Sequence, residues 1–197
     1  MHNMKKQIIF IGGAMAFRTY DDYIHFLKTM NVSLEYLKKK RWKHLLQERL
    51  GESYDVNLLD MPCGLNAKYN EWKIYFERYI ELFQNEVILI GLSQGSIFLI
   101  KYLSENIFPK KIKALYLLAA PIKDTPDESL GDFTFPKEIF KNIKTFILHS
   151  EDDSVVPYAH SVDLYKMLPE AEFISFKDKG HFNQTEFPEL VELIKKI

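Results

Sequence analysis

Short apolar runs rich in β-branched residues alternate along this chain with longer stretches in which apolar residues recur every three to four positions. The runs at 7–11 (Gln-Ile-Ile-Phe-Ile), 54–59, 87–90, 113–120, 145–149 and 173–176 read as strands. Several are apolar at successive positions, as expected of a sheet covered on both faces. Between them the spacing predicts helices. One is capped by Asp21 or Asp22, carries Tyr23, Ile24, Leu27 and Met30, and stops at Asn31. A second runs from an N-cap at Ser33 to a C-cap at Gly51 on Leu34, Leu37, Trp42, Leu45, Leu46 and Leu50. A third, over 71–83, carries an aromatic stripe of Trp72, Tyr75, Phe76, Tyr79, Ile80 and Phe83 at helical spacing, which reads as core packing. The helix over 96–104 is apolar nearly all round and should lie sandwiched between the sheet and its neighbours. Pro157 opens a helix reaching Leu168, and Pro188 opens the last one, with Leu190, Val191 and Ile194. Strands alternating with helices predict an α/β fold with a roughly six-stranded, mostly parallel sheet and helices on both faces. In such sheets chemistry sits at the carboxyl ends of the strands. The chain reads as a single domain over 1–197, with excursions at 15–41 and 121–142 as candidate small caps over that edge.

Composition narrows the function classes. The 197 residues are 47% hydrophobic and 27% charged with a formal net charge of -1, which argues against a broad nucleic-acid or anionic-membrane surface. The run Lys38-Lys39-Lys40-Arg41 reads as a solvated helix face before it reads as an anion-binding patch. Cys63 is the only cysteine, so no intramolecular disulfide can form, and this suits a reducing compartment. Residues 1–6 lead into a short apolar run without an A-x-A-like cleavage site, and no run approaches the length of a membrane span. The expectation is a soluble cytoplasmic protein.

The candidate chemistry centres on Gly91-Leu92-Ser93-Gln94-Gly95, between the buried strand at 87–90 and the apolar helix that follows. A Gly-x-Ser-x-Gly turn in that context bends sharply enough to lift Ser93 Oγ above the sheet, and its glycines let strand and helix approach. Serine is a weak nucleophile alone, so a base and an orienting carboxylate should follow. The loop after the fifth strand supplies Asp152, Asp153 and Pro157, and the loop after the sixth supplies Gly180-His181-Phe182. Asp153 stands four residues before Pro157 and is preferred to its neighbour Asp152 as the acid; His181 is the base. The order Ser93, Asp153, His181 is the one found in α/β-hydrolases. The Asp-x-x-Val-Pro and Gly-His-Phe stretches resemble the acid and base loops of small α/β-hydrolases, in particular the retinoblastoma-binding serine hydrolase (YdeN-like) family. Asp60-Met61-Pro62, residues 68–73 and residues 98–103 fit that family too, so the resemblance covers nearly the whole chain.

The resemblance implies a minimal α/β-hydrolase fold and cleavage of an ester, thioester or amide of a small acyl substrate through an acyl-enzyme on Ser93. His181 would act as general base and Asp153 would orient it. The oxyanion hole would combine the Gln94 N–H with one from Gly12-Gly13-Ala14, by position that of Ala14. This loop departs from the His-Gly opening common in α/β-hydrolases. Phe17, Phe133, Phe135 and Phe182 are candidates for an apolar acyl-binding surface, and Met15 and Phe182 are taken as substrate-binding residues.

No cofactor and no metal are expected, because no Cys/His cluster has ligand spacing and no phosphate-binding glycine loop is present. His160 reads as a surface residue, His25, His44 and His149 have no partner visible in the sequence, and Cys63 reads as a small loop residue. Two other readings keep the fold. One is a module that binds a protein partner with little or no catalysis, and the other is an acyltransferase using the same serine. Absence of any reactive nucleophile would mark the first; transfer to an added alcohol or amine in preference to water would mark the second.

Overall fold

The computed structural model describes residues 5–125 and 129–197. Residues 1–4 of the segment read for a leader, and 126–128 within the 121–142 excursion, lie outside the described residues. Strands β1 (Lys6–Ile11), β2 (Tyr54–Leu59), β3 (Glu86–Leu92), β4 (Lys111–Leu118), β5 (Thr145–Ser150) and β6 (Glu172–Phe176) form one all-parallel sheet. The strand order is β2-β1-β3-β4-β5-β6. Helices α1 (Tyr20–Thr29), α2 (Leu34–Lys38) and α3 (Trp42–Leu50) lie between β1 and β2, α4 (Tyr69–Ile80) between β2 and β3, α5 (Gln94–Glu105) between β3 and β4 and α6 (Ala159–Met167) between β5 and β6, and α7 (Pro188–Lys195) follows β6.

Period-two alternation splits the core into two layers. From β1, Ile9 and Ile11 face one way and Ile8 and Phe10 the other; β3 and β4 divide alike. The first layer holds Trp72, Phe76 and Ile80 of α4, the apolar run of α5 and Leu164 of α6. The second holds Trp42, Leu46 and Leu50 of α3 and Leu190, Val191 and Ile194 of α7. The chain leaves β1 toward α3 on one face and leaves β3 into α5 on the other. Strand order reverses between those two neighbours, so a crevice opens at their carboxyl ends.

Several boundaries differ from the sequence expectation for identifiable reasons. The N-cap of α1 is Thr19, not Asp21 or Asp22; Thr19 Oγ1 accepts the Asp22 N–H at 3.1 Å, and Asp22 reaches back to the Thr19 amide. The helix expected over 33–50 is broken into α2 and α3. Leu37 and Trp42 are five residues apart, out of helical register, and four consecutive cations lie between them. Leu34 and Leu37 accordingly stay exposed while Trp42 is buried. Strand β4 ends at Leu118, two residues early, because Ala119 turns to φ 44°. Among its described residues the 121–142 excursion carries no helix. It sends Leu130, Phe133 and Phe140 into the first core layer, and Phe133 packs edge-on against Trp72 with ring centroids 5.1 Å apart. Ala16 pairs with Ser129 across an isolated antiparallel bridge, which ties this excursion to the loop after β1. Among the described residues no helix is long and apolar enough to cross a membrane.

The tightest backbone contact in the fold lies beneath the crevice. A Cβ built on Gly95 falls 2.1 Å from the Ile11 carbonyl oxygen, and one on Gly91 falls 2.7 Å from the Ser96 amide nitrogen. Both obstacles are backbone and have nowhere to go. Gly95→Ala is therefore expected to destabilise the protein by about 3 kcal/mol or more, as backbone clashes in a packed core do. Urea unfolding checks this, and a midpoint unchanged from wild type would contradict it.

Candidate active site

Ser93 occupies the N-cap position of α5 with φ 54° and ψ -118°, a backbone state that costs an L-residue about 1–3 kcal/mol. The turn is pinned from below: the Ser93 N–H donates to Leu118 O at 2.8 Å, and Ser96 Oγ donates to the same oxygen at 3.0 Å. In front of it lies the Gly12-Gly13-Ala14 loop. The Gly13 Cβ position is 3.3 Å from Ser93 Cβ and 3.8 Å from Ser93 Oγ, so a side chain there would crowd the hydroxyl. Among the described residues the Gln94 and Ala14 amides donate to no protein acceptor, whereas the Met15 amide donates to Gly64 O at 2.9 Å.

Asp153 and His181 meet at the carboxyl ends of β5 and β6. Asp153 Oδ2 lies 2.8 Å from His181 Nδ1; the carboxylate side chain is fully buried and the imidazole is 14% exposed. A carboxylate only accepts here, so Nδ1 carries the proton and Nε2 is left as the basic nitrogen of the neutral ring. Asp153 Oδ1 accepts the Val155 and Val156 amides at 2.8 and 3.0 Å. Burial alone would raise this carboxyl, but the hydrogen bonds from His149 and His181, the imidazolium charge and the Val155 amide win and hold it well below the ordinary carboxylate range. Asp152 does different work. Its Oδ1 accepts the Ser150 hydroxyl and, at 2.9 Å, the Gly180 amide, stitching the two loops together. Among the described residues no hydrogen bond joins Ser93 to His181; the three residues stand on one sheet edge, with Asp153 and His181 hydrogen-bonded to each other.

His149, for which the sequence offered no partner, is fully buried against Asp153. Its Nε2 lies 3.2 Å from Asp153 Oδ2 and 3.0 Å from Val156 O, and its Nδ1 lies 2.7 Å from Ser161 Oγ. Both neighbours of Nε2 are acceptors, so Nε2 carries the proton and the Ser161 hydroxyl donates to Nδ1. The missed signal is that β5 is buried at all six positions, which places a histidine inside, four residues before a carboxylate. His160, expected at the surface, is also buried, at 2% exposure, and burial first and then the Lys123 charge lower its pKa.

Phe182, expected to bind substrate, sits in the second core layer. Its ring is fully buried, stacked on Phe187 at 5.1 Å, and its backbone at φ 52° is held where the Trp42 indole N–H donates to Phe182 O at 2.9 Å. It turns the chain next to His181. Phe133 is fully buried in the same sense, while Met15 is half-buried and Cys63 is exposed in a left-handed turn at φ 54°. Among the described residues no group of three or more His, Cys, Asp or Glu is gathered as a metal site.

A parallel sheet with a serine turn between its third strand and a buried helix, an acid after its fifth strand and a histidine after its sixth defines the α/β-hydrolase fold. The chain belongs to the serine hydrolase family, whose model matches residues 35–194. It is 29% identical to the serine hydrolase RBBP9 of Rattus norvegicus over 146 residues, 70% of this chain and 75% of that protein. It is 24% identical over 152 residues to the putative hydrolase YdeN of Bacillus subtilis (strain 168), 74% of this chain and 80% of that one. The crystal structure of the B. subtilis ydeN gene product matches with a TM-score of 0.74 at 19% identity, covering 98% of each chain. A putative YdeN-like hydrolase from Pectobacterium atrosepticum matches with a TM-score of 0.65 at 12% identity, over 98% of this chain and 90% of that one.

The depressed Asp153 pKa has a stability consequence. Its ionised form stabilises the fold fully above the unfolded value of about 3.9, and that contribution is lost as pH falls toward the folded value. Asp153→Asn removes it, so the loss of unfolding free energy between pH 7 and pH 3 should be smaller in the variant by about 1 kcal/mol. Urea titrations at the two pH values measure this; equal losses in both proteins would contradict it.

Proposed function

We propose that this protein cleaves an ester, thioester or amide of a small substrate through an acyl-enzyme on Ser93. In this reading Ser93 Oγ attacks the acyl carbonyl as His181 Nε2 takes its proton. Asp153, bonded to Nδ1, keeps the ring in the required tautomer and stabilises the imidazolium that forms. The uncommitted Gln94 and Ala14 amides receive the charge on the carbonyl oxygen as the carbon becomes tetrahedral. His181 then protonates the leaving alcohol, thiol or amine, and a water activated by the same nitrogen releases the acid and frees the serine. Met15, on the loop that carries Ala14, is the side chain proposed to contact the acyl group.

The observation that carries this reading is the buried Asp153–His181 pair, with its 2.8 Å contact, on the same sheet edge as the strained Ser93 turn. Four donors on one carboxylate preorganise the acid so that it need not move as charge develops. Membership of the serine hydrolase family supports the reaction class, and the structure adds the local chemistry.

Hydrolysis of 4-nitrophenyl acetate by the purified protein tests the proposal. Ser93→Ala and His181→Ala are each expected to lower kcat by about 10⁴-fold or more, and the double variant hardly further, because residues acting as one unit are not additive. Wild-type turnover that survives Ser93→Ala would overturn it.

A further inference from the structure

Beside the proposed nucleophile lies a cavity of about 360 Å³, large enough for part of a small substrate. Its wall includes Gly12, Gly13 and Ala14 of the loop after β1, Asp60 after β2, and Lys43 and His44 in the first turn of α3. It is therefore continuous with the loop that faces Ser93. The Lys43 ammonium sits 3.6 Å from the Gly12 Cβ position, and Ser93 Cβ sits 3.3 Å from that of Gly13. Neighbouring Cα atoms are ~3.8 Å apart, so the ammonium and the serine lie within roughly 14 Å of each other at the outside. That is the reach of a short chain bound at both ends.

Lys43 is half-buried, with its ammonium 5.8 Å from the centroid of the Phe10 ring. Among the described residues no carboxylate comes within ion-pair distance of it, unlike Lys101, Lys111 and Lys179, which all have acidic partners. Asp60 lines the same cavity, but the Arg41 charge repels Lys43 more than Asp60 attracts it. Burial first, and then the Arg41 charge, lower the Lys43 pKa, with Asp60 opposing them. His44 adds a neutral donor. Its Nδ1 accepts the Arg41 amide at 3.2 Å, so in the neutral ring the proton resides on Nε2, and the residue lines the cavity. One full cation and one neutral N–H suit a group with a single negative charge better than a dianion.

We propose that the cavity receives a carboxylate on the substrate, bound by Lys43 with His44, so that the esters or amides cleaved at Ser93 carry a free carboxyl group a few bonds from the scissile carbonyl. This rests on the acyl-enzyme reading for its catalytic half; the carboxylate site itself stands on the cavity and its two donors. Lys43 is here a specificity residue: it touches the substrate away from the reacting atoms.

Two ester pairs test the proposal from both sides of the bond. On the acyl side, 4-nitrophenyl butyrate is compared with the mono-4-nitrophenyl ester of adipic acid; on the alcohol side, phenyl acetate is compared with 3-acetoxybenzoate. The wild type is expected to favour the anionic member of at least one pair by about tenfold in kcat/KM, a difference worth about 1.4 kcal/mol. Lys43→Met should bring the ratio near one, Lys43→Arg should restore part of it, and added salt should weaken it. Equal turnover within both pairs, or a preference that survives Lys43→Met, would overturn the inference and leave the acyl-enzyme reading standing. If no ester is cleaved, calorimetric titration of Ser93→Ala protein with adipate decides the carboxylate site alone. Adipate binding lost on adding Lys43→Met upholds it. Absence of adipate binding, or binding that survives Lys43→Met, removes it.

Discussion

The close approach of α5 to the end of β1 is the contact on which the rest of this molecule depends. Helix α5 can begin directly beneath the Ile11 carbonyl only because Gly95 has no Cβ to meet it 2.1 Å away. Gly91 makes the same allowance for Ser96 on the other side of the turn. The chain between those glycines has one way to pass from strand to helix in so little space, and it leaves Ser93 at φ 54°. That strain is sustained by the burial of both flanking elements: every residue of β3 from Val87 to Leu92 is buried, as are ten consecutive positions of α5. The hydrophobic core thus holds the serine in a conformation its own sequence disfavours, and the nucleophile proposal follows from packing.

The same logic reaches the other end of the sheet. The loops after β5 and β6 are tied to each other by Asp152 and to α3 by Trp42. The Trp42 amide donates to Gln184 O at 3.2 Å and its indole donates to Phe182 O. His181 is therefore presented on a braced turn, and Asp153 is held by four donors at a depth where an unpaired carboxylate would be prohibitively costly. His149 belongs to this brace. A buried imidazole with acceptors on one nitrogen and a hydroxyl on the other orders the acid without competing for substrate. Because the first turn of α3 anchors the His181 loop and also presents Lys43 beside the Gly12-Gly13-Ala14 loop, one short helix joins the proposed base, oxyanion and specificity elements.

Much of this was legible in the chain before any coordinates. Continuous apolar runs mark the six strands, because fully covered parallel strands are apolar at nearly every position, and period-3.6 patterns mark the major helices. Gly-x-Ser-x-Gly carried its own geometry, since only glycine tolerates those contacts. What escaped reading was long-range or polar. The spacing to Pro157 already favours Asp153 over Asp152, but the contact of Asp153 with a histidine 28 residues later, and of Asp152 with the Gly180 amide, is visible only in the fold. The burial of His149 and His160 was hidden because histidine carries little periodic signal, although the uniform burial of β5 would have exposed the first. Phe182, one of four phenylalanines that the sequence offers for an acyl-binding surface, turns its ring into the second core layer. The Thr19 cap was within reach, as Thr19 stands three residues before Asp22.

The central claim is that the strained turn makes Ser93 an activated nucleophile, and covalent labelling by a fluorophosphonate probe tests it most directly. The probe's phosphorus accepts only a serine whose proton is removed as it attacks. The account predicts one adduct per chain, mapped by peptide mass to Ser93, absent from Ser93→Ala and strongly slowed in Asp153→Asn and His181→Ala. A folded wild-type protein that takes up no probe, or carries it on a residue other than Ser93, would contradict the account.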